Sequence, residues 1–569
     1  MTPGQRSKTP FALLKNVLRQ EEKKMKRRLV SALLVMAMSV SVLAGCGQDT
    51  ADAGGNSSAA AGTEVSGAAD GGGTTTTSVG TYTTEDPYHL VFEYIEFYEQ
   101  DSEARTAVQD AMNAYLRENY QMEVELLPTS YADYQTSTQL MLSGKDKLDV
   151  LPIQYGVAAS WINMGGIYDM APLMDTEDGK KIIEALGGEE NATVGSMNGV
   201  LFGFPANKES VELGGLCMRA DICDELGLTE KYNLDAENSD TYTGKSLSWK
   251  EAEEIFAAVK EAHPEMYPLY LNNSDQLNRF TSFDTMVDSF GILDMTTDRE
   301  GMKLVNEFET QAYLDTVTML AEWYDAGYIY PDAATDTQGT ATMMKAGNTF
   351  SYATAIKPGF LSEAEAANGC ECYVLYINPT QDGYICTTNV SFIDTGIAAQ
   401  SEDPEMAFKF IAALYSDPTL YNMWQYGIEG ENYQLLEDGT AYFAEGEDGS
   451  NYKYHQNTGW AMGNQFQSYV WNDGTKTADY WEQLKKHNDW AYYSPAYGFM
   501  WDSSNYSTEI TALTNAFETY RAALHTGSVG VKNVQSTVDA LNEALYAAGL
   551  QDVMDAKQAQ LDEWAAAQK

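Results

Sequence analysis

The residues most apt for chemistry are few. Five histidines, His89, His263, His455, His487 and His525, are all the imidazole the chain has, and no two share a metal-ligand spacing. HExxH, GxSxG and a GxGxxG behind a strand are missing. The nearest approach to a phosphate loop is Ser239-Asp240-Thr241-Tyr242-Thr243-Gly244-Lys245-Ser246. Ser239 stands where such a loop needs glycine to curl its backbone around phosphate, and no apolar strand precedes it, so nucleotide binding is not expected. The acidic loops Asp175 to Asp178 and Glu445 to Asp448 offer the oxygen ligands that calcium takes, but neither has the EF-hand spacing, and solvated acidic loops are the plainer reading. Two carboxylates at the right separation hydrolyse glycosides. The 83 Asp and Glu residues include many pairs, yet no motif singles one out, so neither a catalytic residue nor a cofactor is expected.

Aromatic side chains are the stronger signal. The chain has 10 Trp and 37 Tyr, many of them beside Asn, Gln and Gly. "YKYHQNTGWAMGNQFQSYVW" (Tyr452 to Trp471) and "DWAYYSPAYGFMW" (Asp489 to Trp501) combine rings with neighbouring amides. Sugars present apolar C–H faces edged by hydroxyls, and flat rings beside amides and carboxylates hold such faces. Any single ring can equally fill a core, so the ensemble carries the argument.

The elements that must position these rings alternate between strand and helix, which predicts an α/β fold. Strands are expected at His89 to Phe97, Met122 to Pro128 and Leu148 to Ile153, with helices at Ala104 to Asn119 and Tyr131 to Gly144 between them. Strand ends in such a βαβαβ run open onto a cleft. Ser248-Trp249-Lys250-Glu251 is a capping box, followed by Ala252, Ile255, Phe256 and Val259 at helical spacing until Pro264. Leu314, Val317, Ala321 and Tyr324 form another stripe, closed by Gly327. Ala407, Phe410, Ile411 and Leu414 form a third, and Val534, Val538, Leu541 and Leu545 a fourth that ends at Gly549; all four read as core faces.

The N-terminal stretch "MKRRLVSALLVMAMSVSVLAGCGQ" (Met25 to Gln48) runs from Lys26, Arg27 and Arg28 through an uncharged apolar segment to Leu43-Ala44-Gly45-Cys46. The apolar segment is too short for a stable membrane span and reads as an export signal, with Met25 a candidate start. Its end resembles the lipobox of bacterial lipoproteins, which implies a diacylglycerol thioether on Cys46. The 45 residues before Cys46 hold nine Lys and Arg and two Asp and Glu, which leaves 26 basic and 81 acidic residues and a formal charge of −55. Such a chain repels nucleic acid and anionic membrane, so bilayer contact would come from the lipid. Asp49 to Tyr82, rich in Gly, Ser, Thr and Ala, reads as a flexible tether spanning roughly 30 Å. Cys217, Cys223, Cys370, Cys372 and Cys386 are odd in number without a CxxC pair. Free buried thiols are expected, with a Cys217–Cys223 bridge left open.

Several segments in order resemble the extracellular solute-binding proteins of family 1, receptors of bacterial ABC importers. They are "NGVLFGFPANKE" (Asn198 to Glu209), "MRADICDELGL" (Met218 to Leu228), "LSWKEAEEIFAAVKEAHPEMYPLYL", "LAEWYDAGYIYPDA" and "TGIAAQSEDPEMAFKFIAALYSD". "YGIEGENYQLLEDG" (Tyr426 to Gly439), "GNQFQSYVW", "SPAYGFMWD" and "QAQLDEW" are similar to the uncharacterised C-terminal region of one lipoprotein subfamily. Its usual Gly-Ile-Glu-Gly-Lys-His-Tyr departs here to Gly-Ile-Glu-Gly-Glu-Asn-Tyr, which loses a basic residue and a histidine.

The resemblance implies an α/β, two-lobe periplasmic-binding-protein-like fold with a hinge and inter-lobe cleft. The expected organisation is signal peptide 1–45, lipid-anchored linker 46–82, first lobe 83–206, second lobe 207–347, return to the first lobe 348–397, re-entry to the second 398–425, and the C-terminal region 426–569. Crossings are expected near Phe204 to Lys208, Asn348 to Ile356 and Thr395 to Ala399. Gln154 and Tyr155, just after the third strand, are candidate ligand contacts because strand ends face the cleft. Asn207, Asn272, Asn273 and Tyr352 join them from the presumed crossings, and Trp460, Asn464 and Trp501 from the aromatic segments. Glu429 is a candidate ligand acceptor or hinge hydrogen-bonder. The implied function is a monomeric, lipid-anchored receptor on the extracellular face of the cytoplasmic membrane. It would bind an oligosaccharide, or alternatively a peptide or other polar solute, and pass it to an ABC permease. A surface glycoside hydrolase or an adhesin is the remote alternative.

Overall fold

The computed structural model describes residues 80–211, 214–234, 247–274, 276–377, 383–472, 476–489 and 491–568. Cys46, most of the tether and the Ser239 to Ser246 stretch lie outside the described residues.

The chain enters the first lobe as β1 (Tyr88–Glu96), α1 (Ser102–Tyr120), β2 (Met122–Ser130), α2 (Tyr134–Gly144), β3 (Val150–Gln154) and α3 (Tyr155–Asn163). Asp101 starts α1 by accepting from the backbone N–H of Glu103 and Ala104, and Gln121 ends it in the left-handed region. β1 is buried on both faces, as a central parallel strand must be. It pairs in parallel with β2 on one side and β3 on the other. The order therefore reverses at β1/β3, the point beyond whose strand ends an α/β sheet opens a ligand crevice. The short β4 (Phe204–Pro205) is the last strand here before the chain leaves.

The second lobe holds β5 (Gly214–Arg219), α4 (Trp249–Ala262), β6 (Tyr267–Tyr270), α5 (Gln311–Asp325), β7 (Thr349–Ala355), α6 (Phe360–Asn368) and β8 (Cys372–Tyr376). Its sheet has the order β8–β5–β7–β6. The capping box is formed: Ser248 and Glu251 satisfy each other's backbone N–H, and Ala252, Ile255, Phe256 and Val259 are buried. Cys217, Cys223, Cys370, Cys372 and Cys386 are all free, including the pair left open as a bridge.

The chain then returns as β9 (Ile393–Ile397), α7 (Pro404–Ser416) and α8 (Pro418–Tyr426). Here the structure corrects the expected organisation. β7 and β8 belong to the second sheet, so residues 349–376 do not return to the first lobe; β9 does, antiparallel to β3 and β4. α7 and α8 stay with the first lobe: Phe410 meets Phe92 edge-on at 5.2 Å, and Trp424 packs on Phe92 and Tyr94. An apolar helix face suits either core, and only the rings across from it decide which.

The longer helices that follow are α9 (Tyr480–Asn488), α10 (Ser507–His525), α11 (Val534–Ala547) and α12 (Leu550–Ala567). α10 to α12 share a core with Phe308, Tyr313 and Val317, so the C-terminal helices cover the outer side of α5. The first crossing, which leaves β4 at Ala206, lies beside Asn389 and Asn488. Ser210 N–H donates to Asn488 Oδ1 at 2.8 Å, Asn488 Nδ2 to the Lys208 carbonyl at 2.8 Å, and Lys208 Nζ to the Asn389 carbonyl at 3.2 Å. Tyr384–Ile385 pairs in parallel with Tyr492–Tyr493 beside them. The expected crossings at 348–356 and 395–399 are instead strands β7 and β9 with the turn after β9.

Candidate ligand-binding cleft

A cavity of about 750 Å³ lies where the first crossing, the end of β1, β7, α6, α9 and the loops after α8 converge. One wall is aromatic. Trp471 stacks on His455 with centroids 3.9 Å apart and planes 20° apart, lies 4.9 Å from Tyr426, and meets Phe443 edge-on at 4.8 Å. Locked in this way, the indole loses little further freedom when a ring is laid on it. Trp460 packs on Phe97 at 4.8 Å, just past β1, and Tyr98 beside it is 47% exposed. On another side the Trp481 indole N–H donates to the Ser468 carbonyl at 2.8 Å. The Lys476 ammonium sits 5.5 Å over Tyr480 and 3.0 Å from Glu363.

The floor is charged. Glu209, on the first crossing, accepts from Lys357 Nζ at 2.7 Å and from Gln465 Nε2 at 2.9 Å. It thereby ties the crossing to the end of β7 and to the C-terminal region. Burial alone would raise its carboxyl, but Lys357 and Lys208 outweigh burial and hold it at about 2. Burial pulls the Lys208 ammonium down. It pulls Lys357 the same way, and there Glu209 more than restores it. Burial, reinforced by the charge of Lys476, pushes His455 down to about 3, so the ring is neutral. Its Nε2 is buried with no hydrogen-bond partner among the described residues, which leaves one polar atom of the aromatic wall unsatisfied.

Of the residues singled out by sequence, Trp460 lines this cavity. Asn207 and Asn464 meet beside it: Asn207 Nδ2 donates to Asn464 Oδ1 at 3.1 Å, and Asn207 N–H to the Gly463 carbonyl at 2.8 Å. Asn464 also donates to the Tyr415 carbonyl and accepts from Phe466 N–H, so both amides fasten the crossing. The others lie outside the lining of this cavity. Gln154 is turned to Tyr131 and Gln135 at the end of β3. Tyr155 accepts from the backbone N–H of Trp501 at 2.7 Å, joining α3 to the C-terminal region. The Trp501 ring is 2% exposed in the core of the C-terminal helices. Asn272 donates to the Gln338 carbonyl, and Asn273 receives Arg521 of α10, both away from the cavity. Tyr352 is buried beneath the second sheet, where its hydroxyl accepts from Asn368. Glu429 is exposed in the turn after α8. In that turn Asn432, where the subfamily has histidine, accepts from Ile428 N–H at 2.9 Å and packs so closely on Gly427 (φ 86°) that a Cβ there would lie 2.4 Å from its Oδ1. The acidic loops are engaged internally: Asp178 pairs with Lys181, and Asp448 accepts from Ser450 and faces Asn451. Among the described residues no group of three or more His, Cys, Asp or Glu is placed to hold a metal ion, and no helix is long and apolar enough to cross a membrane.

Lys208, Glu209, Lys357, Trp471 and Trp481 line the cavity without having been singled out by sequence. Lys208 and Glu209 close the quoted "NGVLFGFPANKE", and Trp471 closes the quoted aromatic segment, so the signal lay at the edges of segments already noticed. Nothing local marks Lys357, which enters because β7 is antiparallel to β5, with Ala355 opposite Gly214, and so ends beside the first crossing.

Solved structures share the fold. The N-glycan transport solute binding protein of Streptococcus pneumoniae superimposes with a TM-score of 0.68 at 20% identity, over 84% of this chain and 100% of that one. An extracellular solute-binding protein of Bifidobacterium longum subsp. infantis gives 0.58 at 14% identity, over 85% and 99%. The fold is that of the two-lobe solute-binding proteins. By sequence the chain is 24% identical over 466 residues to a carbohydrate ABC transporter substrate-binding protein of Streptococcus pneumoniae, covering 79% of this chain and 86% of that one. Residues 495–566 match a domain of unknown function, DUF3502. These residues run from the turn before Trp501 through α10 to α12. Together the matches fit a solute-binding protein of family 1 with an added C-terminal region, which here is a helical layer against α5 and not a separate module.

Proposed function

We propose that this chain is a receptor for an oligosaccharide, held by a lipid on Cys46 at the extracellular face of the cytoplasmic membrane, and that it delivers the sugar to an ABC permease. The observation that carries the reading is the cavity of about 750 Å³ with its aromatic wall, placed beside the first crossing at Lys208 and Glu209. That volume lies within the range of about 300–1,000 Å³ usual for small-molecule sites. The relative at 24% identity is a carbohydrate ABC transporter substrate-binding protein, and the N-glycan transport solute binding protein of the same fold has been solved in complex with Man1GlcNAc and with Man5GlcNAc. A ligand touching both the first-lobe rings and the second-lobe end of β7 would favour closure through contacts that an open form lacks.

Receptor rather than hydrolase is supported by Glu209 in the floor. A glycosidase needs a general acid with a raised pKa, whereas Glu209 is held at about 2 by lysines. Calorimetry of the mature chain against a glycan panel and a peptide panel tests the reading. Glycan binding without turnover of a labelled oligosaccharide is expected; binding confined to peptides refutes the sugar assignment. Membrane retention of the wild type and its loss in Cys46→Ser test the anchor.

A further inference from the structure

In a chain with 83 acidic and 35 basic residues, the cleft reverses the balance. Three lysines, Lys208, Lys357 and Lys476, line it against two carboxylates, Glu209 and Glu363. Lys476 is matched by Glu363 at 3.0 Å and Lys357 by Glu209 at 2.7 Å. Lys208 is left to donate to two backbone carbonyls, those of Glu209 at 2.8 Å and Asn389 at 3.2 Å. Carbonyl dipoles orient an ammonium without neutralising it, and a lysine has a third N–H to give. The carboxylate nearest to Lys208 is already engaged by Lys357 and Gln465. Burial pulls the Lys208 ammonium down, the direction expected of a cation short of counter-charge. His455 and His487 are held neutral by burial, at about 3 and about 4, and add no charge. There is also room for a substituent: Lys208, Glu209 and Lys357 line a second cavity of about 250 Å³ together with Ala355 and Asn389.

We propose that the ligand is an acidic oligosaccharide, whose anionic substituent seats on Lys208 and Lys357 while its sugar rings lie against the aromatic wall. The inference rests on the oligosaccharide-receptor reading and adds the charge of the ligand to it. One anion makes the floor neutral, two lysines sharing one carboxylate and one ligand group. The acidic exterior repels such a ligand at long range, but salt screens that repulsion beyond about 8 Å, and the buried pair acts at contact.

The test is calorimetry of the mature chain with matched pairs that differ only in charge. The probes are hexagalacturonate and its methyl ester, a sialylated biantennary N-glycan and its desialylated form, and a chondroitin sulfate hexasaccharide and its unsulfated form. The uronate, sialate and sulfate arms identify which anion is meant. At least one acidic member is expected to bind roughly ten- to a hundredfold more tightly than its twin, the effect of a charge-assisted hydrogen bond. Lys208→Met is expected to shrink that ratio to below about threefold. The wild-type ratio itself needs no variant to fold. Neutral members binding as well as or better than their acidic twins overturn the inference and leave the receptor reading standing. Failure of every glycan, charged and neutral, overturns both.

Discussion

Replacing Glu209 with Gln keeps the shape of the side chain and removes the charge that joins the first crossing to β7. Its carboxyl lies at about 2 in the folded chain against an ordinary 4.5. At about 1.4 kcal/mol per pH unit the ionised form therefore contributes about 3 kcal/mol to stability. Because the folded pKa is depressed, this contribution is complete above pH 4.5 and is lost as pH falls toward 2. The Glu209 side chain is only 14% exposed, so solvent screening takes little from the figure. Urea unfolding of wild type and Glu209→Gln, followed by tryptophan fluorescence at several pH values, should show a gap of about 3 kcal/mol at pH 7 that closes toward pH 2. The comparison cancels every other titrating group, which matters in a chain this acidic. A gap below about 1 kcal/mol at pH 7, or one that does not change with pH, would refute the argument that two lysines share this carboxylate.

Other outcomes separate binding from folding. Trp471→Ala is expected to weaken glycan binding roughly three- to tenfold, the worth of one aromatic contact, with a smaller effect on stability; unchanged affinity in calorimetry would remove Trp471 from the site. Trp501→Ala should do the reverse, costing about 3–5 kcal/mol in urea unfolding because the ring is 2% exposed, while the folded fraction keeps its affinity. In Asp394, buried in β9, burial pushes the carboxyl up to about 7 from 3.8. A raised acid adds nothing below pH 3.8 and destabilises progressively as pH rises to 7. Asp394→Asn should therefore gain stability relative to wild type over that window, by up to about 4 kcal/mol; equal pH profiles would contradict the assignment.

Much of the first lobe was legible locally. β1, β2 and β3 and their intervening helices fall within a few residues of the sequence expectation, because each is strongly patterned over a short run of chain. The capping box at Ser248 and the stop at Gly327 were read from residue types alone and are present. The site was legible only in part. Trp460 was chosen for a ring beside amides and lines the cavity; Trp501 has the same credentials and is core. Ring type and neighbours are identical signals in the two cases, and what separates them is whether α10 to α12 close over the ring.

By itself the sequence determined the class of fold, the acidic surface, the run of segments that marks the family, and the aromatic stretch from Tyr452 to Trp471 as the place to look. Those properties follow from composition and from periods of two and 3.6 residues, which are set within a few turns of chain. Tertiary structure decided which lobe β7, β8, α7 and α8 join, where the chain crosses, and that Lys208, Glu209, Lys357 and Gln465 share one floor. Glu209 and Lys357 are 148 residues apart, and their contact depends on the register of the antiparallel β5–β7 pair, in which Ala355 lies opposite Gly214. The charge balance of the cleft belongs to that contact, so it exists only in the folded chain.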